Sequence, residues 1–283
     1  MCGLCGFTGE VTNRETIIKN MAEKITHRGP DSNGFYNDDY LSMGFRRLSI
    51  IDVESSGNQP IYNENKTLVL MFNGEIYNYR KLRNELIEKG HRFSTQTDSE
   101  VLIHGFEEWH EDLLTKLRGM FAFAIYDTIG KSLFIARDYF GIKPMHYTQW
   151  NGHFIFGSEI KSILEFPGFE RKFNKNALNN YISFEYSVPP ETFFEGVYCL
   201  MPAHYLWYKD GKVETHRYWE PQFNEEYGMT EEDAVKEIEE VFENSVNAHK
   251  ISDVEVGCFL SSGVDSSYVS TYFKGQKAFT VGF

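Results

Sequence analysis

Phe121-Ala122-Phe123-Ala124-Ile125-Tyr126, Asp127-Thr128-Ile129-Gly130-Lys131 and Leu133-Phe134-Ile135-Ala136 read as two strands joined by a loop of hairpin length. Both strands are apolar without a break, where a strand with one wet face would alternate. Strands of this kind belong to a sheet covered on both sides. Leu68-Val69-Leu70-Met71-Phe72 and His153-Phe154-Ile155-Phe156 repeat the pattern. Helical spacing appears over 14–25 (Ile17, Ile18, Met21, Ile25), 79–89 (Leu82, Leu86, closed by Gly90) and 98–109 (Val101, Leu102, Phe106, Trp109). This order of elements predicts two packed sheets with helices outside them.

Composition narrows the function classes. The 283 residues suggest about two domains. With 24 Phe, 17 Tyr and 4 Trp the chain is far too aromatic to be disordered. No apolar run is long enough to span a membrane, and the N-terminus lacks the basic-then-apolar pattern of a secretory signal, so a cytoplasmic location is expected. A net charge of −13 argues against a nucleic-acid partner. Residues 220–255 hold 12 Asp or Glu against Lys236 and Lys250 alone, so the acidity is local and marks a junction. The cysteines at 2, 5, 199 and 258 do not form a disulfide framework. Cys2 and Cys5 lack the second close pair that zinc would want, so no metal site is read from the chain.

Patterning lapses over 217–229, where the domain boundary is expected. Thr230-Glu231-Glu232-Asp233 then opens a helix in capping-box style, with Val235, Ile238, Val241, Phe242 and Val246 at helical spacing. A strand over Val254–Leu260 with a buried character, a Ser/Gly loop and a helix from Asp265 follow. That order opens a parallel α/β domain, which the chain enters but does not complete before Phe283.

Cys2 follows directly on the initiator Met1. A small residue there allows Met1 to be removed, leaving one residue with both a thiol nucleophile and an α-amine as its base. Four further motifs follow in order: His27-Arg28-Gly29-Pro30-Asp31, Arg47-Leu48-Ser49-Ile50-Ile51-Asp52, Phe72-Asn73-Gly74-Glu75-Ile76-Tyr77-Asn78 and Thr97-Asp98-Ser99-Glu100. Gly119-Met120-Phe121-Ala122-Phe123-Ala124 and Arg137-Asp138-Tyr139-Phe140-Gly141-Ile142-Lys143-Pro144 extend the series. Together with Cys2-Gly3 they resemble the glutaminase domain of class II glutamine amidotransferases over about the first 210 residues.

The resemblance implies an α+β fold, a four-layer αββα N-terminal-nucleophile domain over 1–216. It implies acyl transfer: the Cys2 thiolate attacks the glutamine amide, ammonia leaves, and water releases glutamate, with no cofactor for this step. Arg47 would grip the substrate carboxylate, Asp98 its ammonium, and Asn73 with the Gly74 N–H the developing oxyanion. Glu75, Leu48, Ile50 and Ile51 are implied as further glutamine contacts. From the residues alone, Asp98 also reads as a helix-start carboxylate, with Thr97 as N-cap and Glu100 at N3. The His27-Arg28-Gly29-Pro30 stretch is expected to support the site, with His27 not its base.

Leu260-Ser261-Ser262-Gly263-Val264-Asp265-Ser266 joins a strand to a helix through small residues, an arrangement suited to anions. It is no Walker A sequence. It resembles the pyrophosphate loop of ATP pyrophosphatases, which implies ATP contacts from Leu260, Ser261, Ser262, Gly263, Asp265 and Ser266, with Mg²⁺ accompanying ATP. Ser262 stands where that pattern has Gly, so a left-handed backbone there would cost about 1–2 kcal/mol. Glutaminase followed by this loop, with 217–229 as linker and 230–283 as the start of the second domain, is the architecture of the glutamine-hydrolysing asparagine synthetase family. The implied overall reaction amidates aspartate with glutamine nitrogen at the expense of ATP, giving asparagine, glutamate, AMP and pyrophosphate. A homodimer is compatible with it. The expectation for these 283 residues is glutamine hydrolysis without asparagine formation. The rivals are a related amidotransferase with another acceptor, and a silent module should Met1 stay in place.

Overall fold

The computed structural model describes residues 2–51, 57–225, 228–273 and 275–282. They fall into two compact units. The first holds the residues up to Ser49 and on to Glu220; the second holds Ile50, Ile51 and the residues from Pro221 onward.

The first unit contains two six-stranded antiparallel sheets. One is built from β1 (Gly3–Thr8), β2 (Ser32–Asn37), β3 (Leu41–Arg47), β8 (His146–Trp150), β9 (His153–Gly157) and β10 (Val197–Cys199), in the order β10-β8-β9-β1-β3-β2. The other is built from β4 (Ile61–Tyr62), β5 (Leu68–Ile76), β6 (Gly119–Asp127), β7 (Ser132–Arg137), β11 (His204–Lys209) and β12 (Lys212–Arg217), in the order β12-β11-β7-β6-β5-β4. The opening hairpin is β6–β7, its loop held by Asp127 Oδ1, which accepts from the N–H groups of Ile129 and Gly130 at 2.9 Å. The left-handed turn position falls on Lys131, at φ 50°.

Between the sheets, Leu4, Met43 and Phe45 of the first meet Val69, Met71, Ala122, Ala124 and Ile135 of the second, all essentially buried. Outside the first sheet, α1 (Arg14–Glu23) and α5 (Ile160–Ile163) add Ile17, Ile18, Met21 and Ile163 to Cys5, Phe7 and Ile155. Outside the second lie α2 (Tyr79–Glu88) and α3 (Glu100–Trp109), where Phe106 packs on Phe134 with ring centroids 4.9 Å apart. The result is four layers, helix–sheet–sheet–helix, the arrangement expected from unbroken apolar strands. Burying both faces explains why β1 and β7 are buried at every residue. Two short helices, α4 (Leu113–Lys116) and α6 (Lys175–Phe184), complete the unit.

The helix expected from Thr97 begins later. α3 starts at Glu100, Ser99 precedes it, and the Glu100 carboxylate turns back to accept from Ser94 and Thr95. Thr97 bonds to Thr95 and caps nothing. A carboxylate expected at N3 but with two hydroxyls just upstream has competing local partners; here those win, and Glu100 becomes the first helical residue.

In the second unit, α7 (Glu231–Ala248) is capped by Thr230, whose Oγ1 accepts from the Asp233 N–H at 3.2 Å. β13 (Cys258–Phe259), α8 (Val264–Thr271) and β14 (Ala278–Phe279) form a β-α-β step with parallel pairing. Phe242 of α7 lies 4.6 Å from Tyr268 of α8, ring to ring. The buried strand expected over Val254–Leu260 is shorter and wetter: Cys258 is buried, Phe259 is 83% exposed. Among the described residues only β14 pairs with β13, and no layer covers the Phe259 face. Among the described residues no helix is long and apolar enough to cross a membrane.

Candidate active site

Side chains alternate along a strand, so the packing of one residue fixes the face of the next but one. Leu4 packs between the sheets, and Cys2, two residues earlier, packs against the same cluster. On β3, Leu41, Met43 and Phe45 face inward, which puts Arg47 on the inner face as well. On β5, Val69 and Met71 face inward, and Asn73 and Glu75 continue that row. The expected nucleophile, the carboxylate grip and the amide donor therefore lie on facing surfaces of the sandwich.

The thiol is held by one peptide. The Leu48 N–H donates to Cys2 Sγ at 3.3 Å, and the Cys2 S–H donates to Leu48 O at 3.5 Å. Burial pushes the thiol above its ordinary range, and the Leu48 hydrogen bond opposes that rise. Arg28 fixes the backbone of the nucleophile: its Nε donates to Cys2 O at 2.9 Å and its Nη1 to Glu159 Oε1 at 3.0 Å. His27 stands half-exposed, 2.8 Å from the same Glu159 oxygen, outside the thiol's hydrogen bonds. Asp31 closes the motif by accepting from the Ser49 N–H at 2.8 Å.

Asn73 is 1% exposed, and among the described residues neither its Nδ2 nor its Oδ1 has a hydrogen-bond partner. A buried amide without partners costs roughly 1–3 kcal/mol, a cost that a ligand oxygen would offset. Gly74 pairs with Phe121 across β6, and a Cβ there would stand 2.1 Å from Met120 O, so a side chain is excluded. Arg47 is buried and donates from Nη1 to Asn58 Oδ1 at 3.3 Å. Gly57 lies against its guanidinium, where a Cβ would come within 2.2 Å of Nη2.

Asp98, at the approach to α3, is 5% exposed; its Oδ2 accepts from the Ile76 N–H at 2.8 Å, tying it to the end of β5. Burial, with the Glu75 charge adding to it against three backbone hydrogen bonds, raises its carboxyl to about 7. Cys2 feels the charges of both Asp98 and Arg47.

Lys143 stands out beyond the expected set. It is 2% exposed, within electrostatic reach of Glu75 and Cys2, and burial lowers its ammonium below the usual range. Arg137 and Asp138 put it there. Arg137 donates to the carbonyls of Lys143 and Gly141 at 2.7 and 2.6 Å, and the buried Asp138 accepts from the N–H groups of Phe121, Ile142 and Lys143. The Arg137–Pro144 motif signals a tight loop, but only the folded loop shows that its lysine points inward. Ile50 and Ile51 group with the second unit, where Ile50 O accepts from the Asp253 N–H at 3.1 Å.

The candidate ATP loop gathers its residues at the start of α8. The Ser266 Oγ accepts from the Ser261 N–H at 3.1 Å and lies 3.0 Å from Ser261 Oγ. Gly263 forms the N-cap, Asp265 sits in the first turn, and Leu260 N–H donates to Phe279 O. Ser262 adopts φ 66°, the left-handed conformation that a glycine would hold without strain.

The profile of the glutamine amidotransferase domain family matches residues 1–219, and that of the asparagine synthase family matches residues 237–283. The chain is 42% identical to asparagine synthetase [glutamine-hydrolyzing] 1 of Bacillus subtilis (strain 168), over 99% of this chain and 46% of that protein. It is 35% identical to asparagine synthetase [glutamine-hydrolyzing] 3 of the same organism, over 98% and 46%. It thus spans about half the length of these curated relatives. Among solved structures, the glutamine phosphoribosylpyrophosphate amidotransferase of B. subtilis superposes with a TM-score of 0.55 at 16% identity, covering 99% of this chain and 65% of that one. An allosteric regulatory enzyme of purine biosynthesis superposes at 0.59 and 15%, with the same coverage. At such identities the likeness establishes the fold, a glutamine-amidotransferase sandwich. The profile match over 1–219 places the chain in the glutamine amidotransferase domain family.

Proposed function

We propose that the first unit hydrolyses glutamine through Cys2 once Met1 has been removed. The observation that carries this reading is the Asn73 amide, buried without a partner among the described residues, on the inner face of β5. The thiolate adds to the side-chain amide carbon of glutamine, and the oxygen that gains charge is met by Asn73 Nδ2 and the Gly74 N–H. The C–N bond breaks, ammonia leaves, and water hydrolyses the thioester to glutamate. Arg47 orients the substrate carboxylate and Asp98 its ammonium. The test is glutamate release from glutamine by chain whose intact mass shows Met1 absent. A Cys2→Ala variant that released glutamate as fast would overturn the assignment.

The second unit supports an ATP-dependent partner reaction. Ser261, Gly263 and Ser266 with the first turn of α8 would hold a pyrophosphate group, and the Asp265 carboxylate would offer a hard oxygen ligand to a Mg²⁺ accompanying it. In the whole protein the aspartate side-chain carboxylate would displace pyrophosphate from ATP to form an acyl-adenylate, and ammonia from the first site would displace AMP to give asparagine. Asparagine made from aspartate, ATP and glutamine by the full-length protein is the check.

A further inference from the structure

Four side chains from three separate segments, none of them assigned to glutamine, converge beside α3. They are Glu64, from the loop between β4 and β5; His91, just after α2; and His104 with Glu107, one turn apart on α3. One ligand atom from each lies within 4.8 Å of all the others. His104 Nδ1 is 3.4 Å from Glu64 Oε2 and 3.4 Å from Glu107 Oε2. His91 Nδ1 is 3.7 Å from Glu64 Oε1 and 3.9 Å from Glu107 Oε2.

Both imidazoles therefore aim the same nitrogen between the same two carboxylates. A ring N–H can point at only one acceptor, and most of these separations exceed the roughly 2.7–3.2 Å of a good hydrogen bond. The two His104 separations match the edge of a tetrahedron around one cation, where ligand bonds of about 2.0–2.1 Å set neighbouring ligand atoms about 3.4 Å apart. His91, at 3.7 and 3.9 Å, stands a few tenths of an ångström further out, facing the other Glu64 oxygen. Further hydrogen bonds fix both carboxylates, through the outer oxygen of Glu107 and through the Glu64 oxygen that faces His91. Glu107 Oε1 accepts from Asn63 Nδ2 at 2.7 Å, and Glu64 Oε1 from the Arg92 N–H at 2.9 Å. His104 Nε2 lies 3.5 Å from Glu100 Oε1 and His91 Nε2 lies 3.6 Å from Glu108 Oε2, each a carboxylate behind a ring. His104 is 1% exposed while Glu64 reaches solvent, so the cluster has a rigid floor and an open mouth.

We propose that Glu64, His91, His104 and Glu107 bind one divalent cation of the zinc class, joining the β4–β5 loop and the end of α2 to α3. Two carboxylates with two neutral imidazoles give a neutral complex, and all-nitrogen-and-oxygen donors at this spacing suit zinc over the larger calcium ion. The ion would be structural, since all four positions of the tetrahedron are filled by protein.

The test uses the full chain in a Cys2→Ala background, so that the nucleophilic thiol takes up no metal. After equilibration with Zn²⁺ and desalting, elemental analysis should find one zinc per chain, and Co²⁺ in its place should give the intense visible absorption of a tetrahedral site. Glu64→Gln and His91→Ala, which leave the buried His104 in place, should each weaken binding at least about tenfold. Zn²⁺ should raise the unfolding midpoint of the parent and not of the double variant. A parent that retains no zinc, or a double variant that retains as much as the parent, overturns the proposal.

Discussion

Leu48 holds the Cys2 sulfur between its own N–H, at 3.3 Å, and its own carbonyl, at 3.5 Å. Burial also raises the thiol above its ordinary range, so at neutral pH it stays protonated unless a base takes the proton. Among the described residues no histidine bonds to the sulfur. A free α-amine on Cys2, with an ordinary value of about 8, is the base within the residue itself. Chain that keeps Met1 should therefore release glutamate at least about 10²-fold more slowly than chain that has lost it. Separating the two forms by mass and assaying each checks this.

Asn73 carries the oxyanion in this reading, so Asn73→Ala should lower kcat about 10²–10³-fold and leave KM nearly unchanged. The same change removes two buried polar atoms that are unpaired among the described residues. Stability should then fall less than for an ordinary buried-amide truncation. Steady-state glutamate release and thermal unfolding of one variant test both halves.

Asp98 is held at about 7 by burial, well above the ordinary carboxyl value. The folded state thus binds its proton more tightly than the unfolded chain does. The Asp98 contribution to stability is fully present below the unfolded value of about 4, is lost as pH rises to about 7, and is absent above that. Substrate acts in the opposite sense, because an ammonium group favours the carboxylate. Glutamine should bind more tightly as pH rises through about 7. Asp98→Asn should flatten the dependence of KM on pH in that range while stabilising the empty protein above it, measurable by kinetics and by unfolding at pH 5 and pH 8.

The layers of the first unit could be read in advance because they depend on local pattern: β6 and β7 are apolar at successive positions, and only a strand covered on both faces tolerates that. The placement of Cys2, Asn73 and Glu75 toward the inter-sheet space follows from strand alternation alone, since each stands an even number of residues from a core position on its own strand. Lys143 was not legible, because its inward direction depends on a loop wound around Arg137 and Asp138. The Glu64–His91–His104–Glu107 cluster was not legible either. Only His104 and Glu107 share helical spacing, and the other two arrive through tertiary packing of separate loops. Val254–Leu260 shows the reverse failure: its pattern describes a strand inside a larger sheet, and among the described residues only β14 flanks it.

Ser262 concentrates a local conflict in one residue. Its φ of 66° leads into the Gly263 N-cap of α8, and the Ser261–Ser266 hydrogen bonds depend on that course of the chain. A left-handed serine costs about 1–2 kcal/mol that a glycine would not. Gly would also be freer in the unfolded chain, which offsets part of the gain by up to about 1 kcal/mol. Strain relief should win by a small margin, so Ser262→Gly should slow amide hydrogen exchange across the Ser261–Ser267 turn severalfold. The same variant should leave glutamate release unchanged, since every residue assigned to glutamine chemistry other than Ile50 and Ile51 lies in the first unit. Faster exchange in the turn would show that the serine side chain, rather than the backbone, stabilises this loop.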